Sequence, residues 1–130
     1  MPTETPLVVV VSYNADEREL YGAALESAGF CVVRLSDPNE ALRVAKSQQP
    51  CVVITRIKQP GHSITGIDLT HAIKSDPATA TIPVVIITSM VQREYREAAT
   101  NARCDDYLLL PVLPDELLSV VKRLATQVYR

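Results

Sequence analysis

The sequence predicts a doubly wound α/β domain, a five-stranded parallel sheet with helices on both faces, spread over 130 residues. Two observations carry that prediction. Short apolar, β-branched runs recur along the chain without the alternating polarity of a sheet that has one wet face. Between them lie stretches of helical spacing, bounded by capping residues, glycines and prolines. Strands alternating with helices force parallel pairing and right-handed crossovers, so every strand's carboxyl end opens on one edge. In open α/β sheets, ligands and chemistry gather at that edge.

The first run, Leu7–Val11, is apolar throughout and stops at Ser12 and Tyr13. Asn14 then caps a helix, and Glu17 stands where it can complete a capping box. Leu20, Tyr21, Ala24, Leu25 and Ala28 form that helix's apolar stripe, and Gly29 ends it. Cys31–Leu35 is a shorter strand, expected near an edge. Asp37 and Pro38 open the next helix as cap and first residue, with Glu40 in the first turn and Ala41, Leu42 and Ala45 facing inward.

Residues 51–55 are apolar or β-branched and follow Pro50, which reads as a strand buried on both faces, with Arg56 at its carboxyl end. Gln59 to Thr65 reads as a loop, and Leu69, Ala72 and Ile73 mark a short helix ending near Asp76 and Pro77. Residues 78–81 read as a polar linker, and 82–88 as a fourth strand stopping at Ser89. Val91, Tyr95, Ala98, Ala99 and Ala102 form a fourth helical stripe. Residues 107–110 are a fifth strand, halted by Pro111. Pro114, Asp115 and Glu116 open the last helix, whose core side is Leu117, Leu118, Val121, Leu124 and Val128. Residues 1–130 thus read as one domain with its core at about 7–124. Ser12, Tyr13, Arg56, Thr88, Ser89 and Leu110 converge at the carboxyl edge.

Composition narrows the function. A net charge of −2 gives no electrostatic footprint for nucleic acid or an acidic membrane. The apolar runs are too short to span a bilayer, and the first six residues lack the pattern of a signal peptide. Cys31, Cys51 and Cys104 have no metal-like spacing and read as buried or half-buried thiols in a reducing compartment. The expectation is a cytoplasmic protein with no nucleic-acid or membrane partner.

Several pieces of the frame resemble the response-regulator receiver domains of two-component signalling, over about residues 7–124. They are the helix start Asn14-Ala15-Asp16-Glu17-Arg18-Glu19-Leu20, the loop pieces Gln59-Pro60-Gly61 and Gly66-Ile67-Asp68-Leu69, residues 83–88, Asp105-Asp106-Tyr107-Leu108, and Leu110-Pro111. The resemblance implies the flavodoxin-like strand order 2-1-3-4-5. It also implies a pattern: two acids after the first strand, an acceptor aspartate ending the third, Thr or Ser ending the fourth, and an aromatic, a lysine and a cis-proline around the fifth.

This chain departs from the pattern at the chemistry. Ser12 and Tyr13 stand where the resemblance implies metal-binding acids, Arg56 at the acceptor position, and Leu110 at the lysine. Only Thr88 and Tyr107 match, and the loop at 61–66 runs two residues long. An acyl phosphate forms only on a carboxylate, and Mg²⁺ wants carboxylate oxygens. The matching positions carry a formal charge of +1 from Arg56, where the family's pocket carries −2. A single like charge about 5 Å from a divalent ion costs about 6–7 kcal/mol at an effective dielectric of about 20.

These departures point to a phosphorylation-independent pseudo-receiver, not an enzyme, that needs no cofactor or metal and acts through protein partners such as a kinase or another regulator. Arg56 is either a rim residue paired with a nearby acid, or an anion site or fixed interaction contact, which leaves an anion- or small-ligand-sensing domain as the alternative. An active receiver using Asp16 or Asp68 is a weaker reading, because both fall on helices. A flavodoxin-like cofactor domain would want a glycine-rich loop after the first strand, where Ser12-Tyr13-Asn14-Ala15-Asp16 stands. Tyr13 reads as covering the crevice, and Tyr107 as either packing or partner-facing. His62 reads as a solvated loop residue. Val112 and Leu113, flanking Pro111 with Leu109 and Leu110, join Tyr107 and Tyr95 in an expected contact surface. The same patch on two copies would close a symmetric homodimer. Leu113 at a cap position also reads as a hydrophobic staple.

Overall fold

The computed structural model describes residues 6–128, with side chains up to residue 125. The N-terminal segment read for a signal peptide falls mostly outside the described residues, as does the side chain of Val128. The order is β1 (Leu7–Val11), α1 (Ala15–Ser27), β2 (Cys31–Leu35), α2 (Pro38–Gln48), β3 (Val52–Arg56), α3 (Gly66–Ser75), β4 (Val84–Thr88), α4 (Arg93–Asn101), β5 (Asp106–Leu109) and α5 (Pro114–Val128). The strands form one parallel sheet in the order β2-β1-β3-β4-β5, as expected.

Strand alternation divides the core. Val8 and Val10 point to the face covered by α1 and α5, among Leu25, Ile54, Leu117 and Val121. Val9 and Val11 point to the opposite face, among Ala41, Ala45, Val53, Leu69 and Ile73 of α2, β3 and α3. A smaller cluster of Ile57, Ile86 and Ala99 lies under α4. The three inner strands are therefore covered on both faces, which is why β1, β3 and β4 read as continuous runs.

The starts of α1, α2 and α3 are set by short polar side chains. Asn14 Oδ1 accepts from the Glu17 N–H at 2.9 Å, and Asp37 Oδ1 from the Asn39 N–H at 2.9 Å, with Pro38 at the first helical position. Thr65 and Asp68 close a full capping box on α3. Gly66 meets the end of β3 so closely that a Cβ would collide with the Arg56 carbonyl oxygen. Its N–H donates to the Ile57 carbonyl at 2.8 Å. Only glycine lets α3 start against the end of β3 in this way.

Several expectations change. β3 and β4 begin one or two residues later than their apolar runs, and β3 extends to include Arg56, because pairing with Ile87 fixes its end. β5 likewise runs one residue earlier than its apolar stretch. Leu20 is 54% exposed and Ala28 is exposed, so the α1 stripe is narrower than its spacing suggests. Val91 precedes α4 and is 75% exposed. Thr79, read as linker, is fully buried, its hydroxyl donating to the Ile73 carbonyl at 2.7 Å. Cys31 is exposed, Cys104 half-buried and Cys51 buried. Burial pushes the Cys51 thiol up to about 11 and also raises Cys104, so neither is a ready nucleophile.

Candidate functional site

β1 and β3 pair side by side, so the turn after β1 stands beside the end of β3. That turn carries Ser12 and Tyr13, and the first turn of α1 hangs Glu17 over the same place. Arg56 Nη1 donates to Glu17 Oε2 at 2.8 Å, with the two side chains only 11% and 14% exposed. The Ser12 hydroxyl donates to Glu17 Oε1 at 2.7 Å and accepts from the Asn14 N–H at 3.0 Å. Arg18 Nη1 closes the turn on the Ser12 carbonyl at 2.7 Å. The Tyr13 ring lies 5.2 Å from the Arg56 guanidinium carbon, a cation–π distance, and is itself 46% exposed.

Glu17 is the residue that sequence reasoning misplaced. The expected capping box does not close, because Glu17 turns away from Asn14, whose N–H is already taken by Ser12. Its carboxylate serves a guanidinium instead, a stronger charge-assisted partner. The +1 reckoned from the strand ends alone thus omits both the Glu17 carboxylate paired with Arg56 and a second guanidinium, Arg18, held beside it on the Ser12 carbonyl.

What argues against magnesium, the ion the family resemblance implies, is the donor set. The crevice lined by Val10, Ser12, Glu17, Tyr21, Thr55, Arg56 and Ile87 has no room for a water molecule. Its one carboxylate is spent on Arg56 and Ser12. Magnesium wants several oxygen ligands in near-octahedral geometry and keeps some of its own water, so these residues do not fit it. Among the described residues, no three His, Cys, Asp or Glu side chains gather to hold a metal ion.

The remaining positions surround this crevice. Thr88 is buried, and its hydroxyl accepts from the Met90 N–H at 3.0 Å. Leu110 is half-buried against the core on the α5 side, its N–H donating to the Thr88 carbonyl at 2.9 Å. The Leu110–Pro111 bond is cis, and Pro111 is exposed. Tyr107 is half-buried, its hydroxyl donating to the Met90 carbonyl at 3.1 Å and its ring 5.2 Å from the Arg96 guanidinium carbon. Tyr95 is half-buried in the α4 cluster.

Val112 is corrected: it is only 8% exposed and belongs to the core, not to an outward surface. Leu113 is 62% exposed and Leu109 43% exposed, so Leu113 is no staple. Its N–H instead donates to Glu116 Oε1 at 2.9 Å, satisfying one group at the start of α5. Asp16 is exposed on α1 and Asp68 is held in its capping box, so neither reaches the crevice. His62 is not merely solvated, since its Nδ1 lies 3.5 Å from Asp37 Oδ1.

Comparison with known proteins agrees with this frame. Residues 8–122 match the family model described as the response regulator receiver domain. A 14.6 kDa protein of Leptolyngbya boryana is 28% identical, over 89% of this chain and 87% of its own length. The phosphate regulon transcriptional regulatory protein PhoB of Pseudomonas aeruginosa is also 28% identical, over 88% of this chain. The chain spans about half of PhoB, 49% of its length. The solved receiver domain of a signal transduction histidine kinase from Syntrophus aciditrophicus superposes with a TM-score of 0.88. It is 25% identical and the match covers 97% of this chain and 94% of that one. With strand order, helix starts and family model all in agreement, this chain belongs to the response regulator receiver domain family of two-component signalling.

Proposed function

We propose that this receiver domain is a pseudo-receiver, which signals through protein contacts and takes up no phosphoryl group. The observation that supports it best is the Arg56–Glu17 pair at the end of β3, 2.8 Å long and nearly closed to solvent. Phosphoryl uptake needs a carboxylate nucleophile, a metal and a charge stabiliser, and these act as a unit. Arg56 supplies no nucleophile, and Leu110 brings no charge. Anion sensing through Arg56 is disfavoured, because an anion would have to displace Glu17 from a crevice with no room for water. Incubation with Mg²⁺ and acetyl phosphate, read by intact mass, is expected to leave the chain unmodified. A base-labile gain of about 80 Da, the mass of a phosphoryl group, would overturn the reading.

Kinases and other regulators are the partner class that the family suggests. The face of α4, β5 and α5 offers Leu109 and Leu113 to solvent, with half-buried Tyr95 and Tyr107 behind them. A symmetric homodimer through this face is the proposed form. Sedimentation is expected to show a dimer at micromolar concentration that Leu113→Asp weakens without changing the circular dichroism. A strictly monomeric wild type would remove this surface from the account.

A further inference from the structure

Tyr21 stands one helical turn beyond Glu17 on α1, so the two side chains leave the same side of the helix. Both line the crevice. Glu17 reaches β3 through Arg56. Tyr21 reaches the opposite flank, its hydroxyl donating to the Val112 carbonyl at 2.7 Å in a fully buried bond. Burial, followed by the Glu17 carboxylate, raises the phenol above its ordinary range, so it stays a donor through neutral pH.

The connection from β5 to α5 is short. The Leu110 N–H donates to the Thr88 carbonyl at 2.9 Å at its start, and the Leu113 N–H to Glu116 at 2.9 Å at its end. Between those points the Val112 carbonyl takes its hydrogen bond from α1. The next residue, Leu113, is 62% exposed, and its carbonyl accepts from the Leu117 N–H at 3.1 Å. We propose that Tyr21 is the positioning residue of this connection. One turn of α1 then joins it to the Arg56–Glu17 pair, so that the crevice and the Leu113 surface are set together. The Arg56 contact anchors the first turn of α1 against the end of β3, and the helix moves as a stiff unit, so releasing that anchor lets the helix start and the Tyr21 hydroxyl one turn on shift together. A buried carbonyl that loses its donor gives up a bond that water cannot replace.

The test is site-resolved amide hydrogen exchange on the full chain, comparing wild type with Tyr21→Phe and Glu17→Gln. Tyr21→Phe removes the hydroxyl alone. It is expected to speed exchange at the Leu113 and Leu117 amides about fivefold to tenfold, while β2 and α2 keep wild-type rates. Glu17→Gln touches neither amide and is expected to speed the same two by a smaller factor. Uniform acceleration, or none, in Tyr21→Phe would overturn the positioning role. Wild-type rates at both amides in Glu17→Gln would overturn the link through α1. Neither readout involves phosphoryl uptake, so failure here is distinct from failure of the proposed function.

Discussion

Two ion pairs stand at opposite edges of this sheet. Arg56–Glu17 closes the carboxyl edge, and Lys74–Asp105 sits at the amino edge, beside the start of β4; each is 2.8 Å long. Their surroundings differ. Lys74 Nζ also donates to the Ile82 carbonyl at 2.9 Å and lies 3.5 Å from the Ala80 carbonyl. Asp105 Oδ2 also accepts from the Val84 N–H at 2.7 Å, and Arg103 donates to the Lys74 carbonyl at 2.8 Å. This pair is woven into the main chain that joins α3, β4 and β5. The Arg56 pair, by contrast, binds side chain to side chain: Arg56, Glu17, the Ser12 hydroxyl and the Tyr13 ring. Charge at the carboxyl edge is therefore exchangeable without disturbing the ladder of the sheet, and charge at the amino edge is not. A fold kept while its site changes is what that arrangement permits.

The comparison predicts unequal costs. Lys74→Met leaves Asp105 without its cation and two carbonyls without a donor. Chemical denaturation is expected to show a loss of about 3 kcal/mol, the low end for a broken buried pair because Asp105 is partly solvated. Arg56→Met also strands a carboxylate, but Glu17 lies in the first turn of α1, where the helix dipole and the Ser12 hydroxyl still favour its charge. The expected loss is about 1–2 kcal/mol. Equal losses in the two variants would break the comparison. A larger loss at Arg56 would reverse it and make the crevice pair the structural one.

The sequence made the frame legible because the frame rests on short-range signals. The runs of β1, β3 and β4, the caps Asn14 and Asp37, and Gly29 after α1 each announce themselves locally. The site was half legible. Ser12, Tyr13 and Arg56 follow from where strands end, because a strand's last residue must face the carboxyl edge. Glu17 was not legible as the partner of Arg56, because a capping box and a distant guanidinium compete for it. Only the fold shows that Ser12 has already taken the Asn14 N–H. Lys74 looks like an ordinary surface lysine between Ile73 and Ser75, and Tyr21 like an apolar stripe residue. Their decisive contacts lie 31 and 91 residues away, with Asp105 and Val112. Val112 reads as part of an outward apolar patch beside Leu113, yet in the connection between β5 and α5 Val112 packs into the core while Leu113 stays exposed, a split that only the fold shows.

The crevice at the end of β3 is closed by its own ion pair, and its carboxylate is taken by Arg56 and Ser12 rather than left for a cation. A magnesium titration followed through the backbone amide shifts of Ser12, Glu17 and Arg56 tests this closure most directly. Millimolar Mg²⁺ is expected to leave these three signals in place, moving only exposed carboxylates such as Asp16 by the small, non-saturating drift of ionic strength. Saturable shifts concentrated at Ser12, Glu17 and Arg56 would mean that Glu17 leaves Arg56 for the metal, and would contradict it.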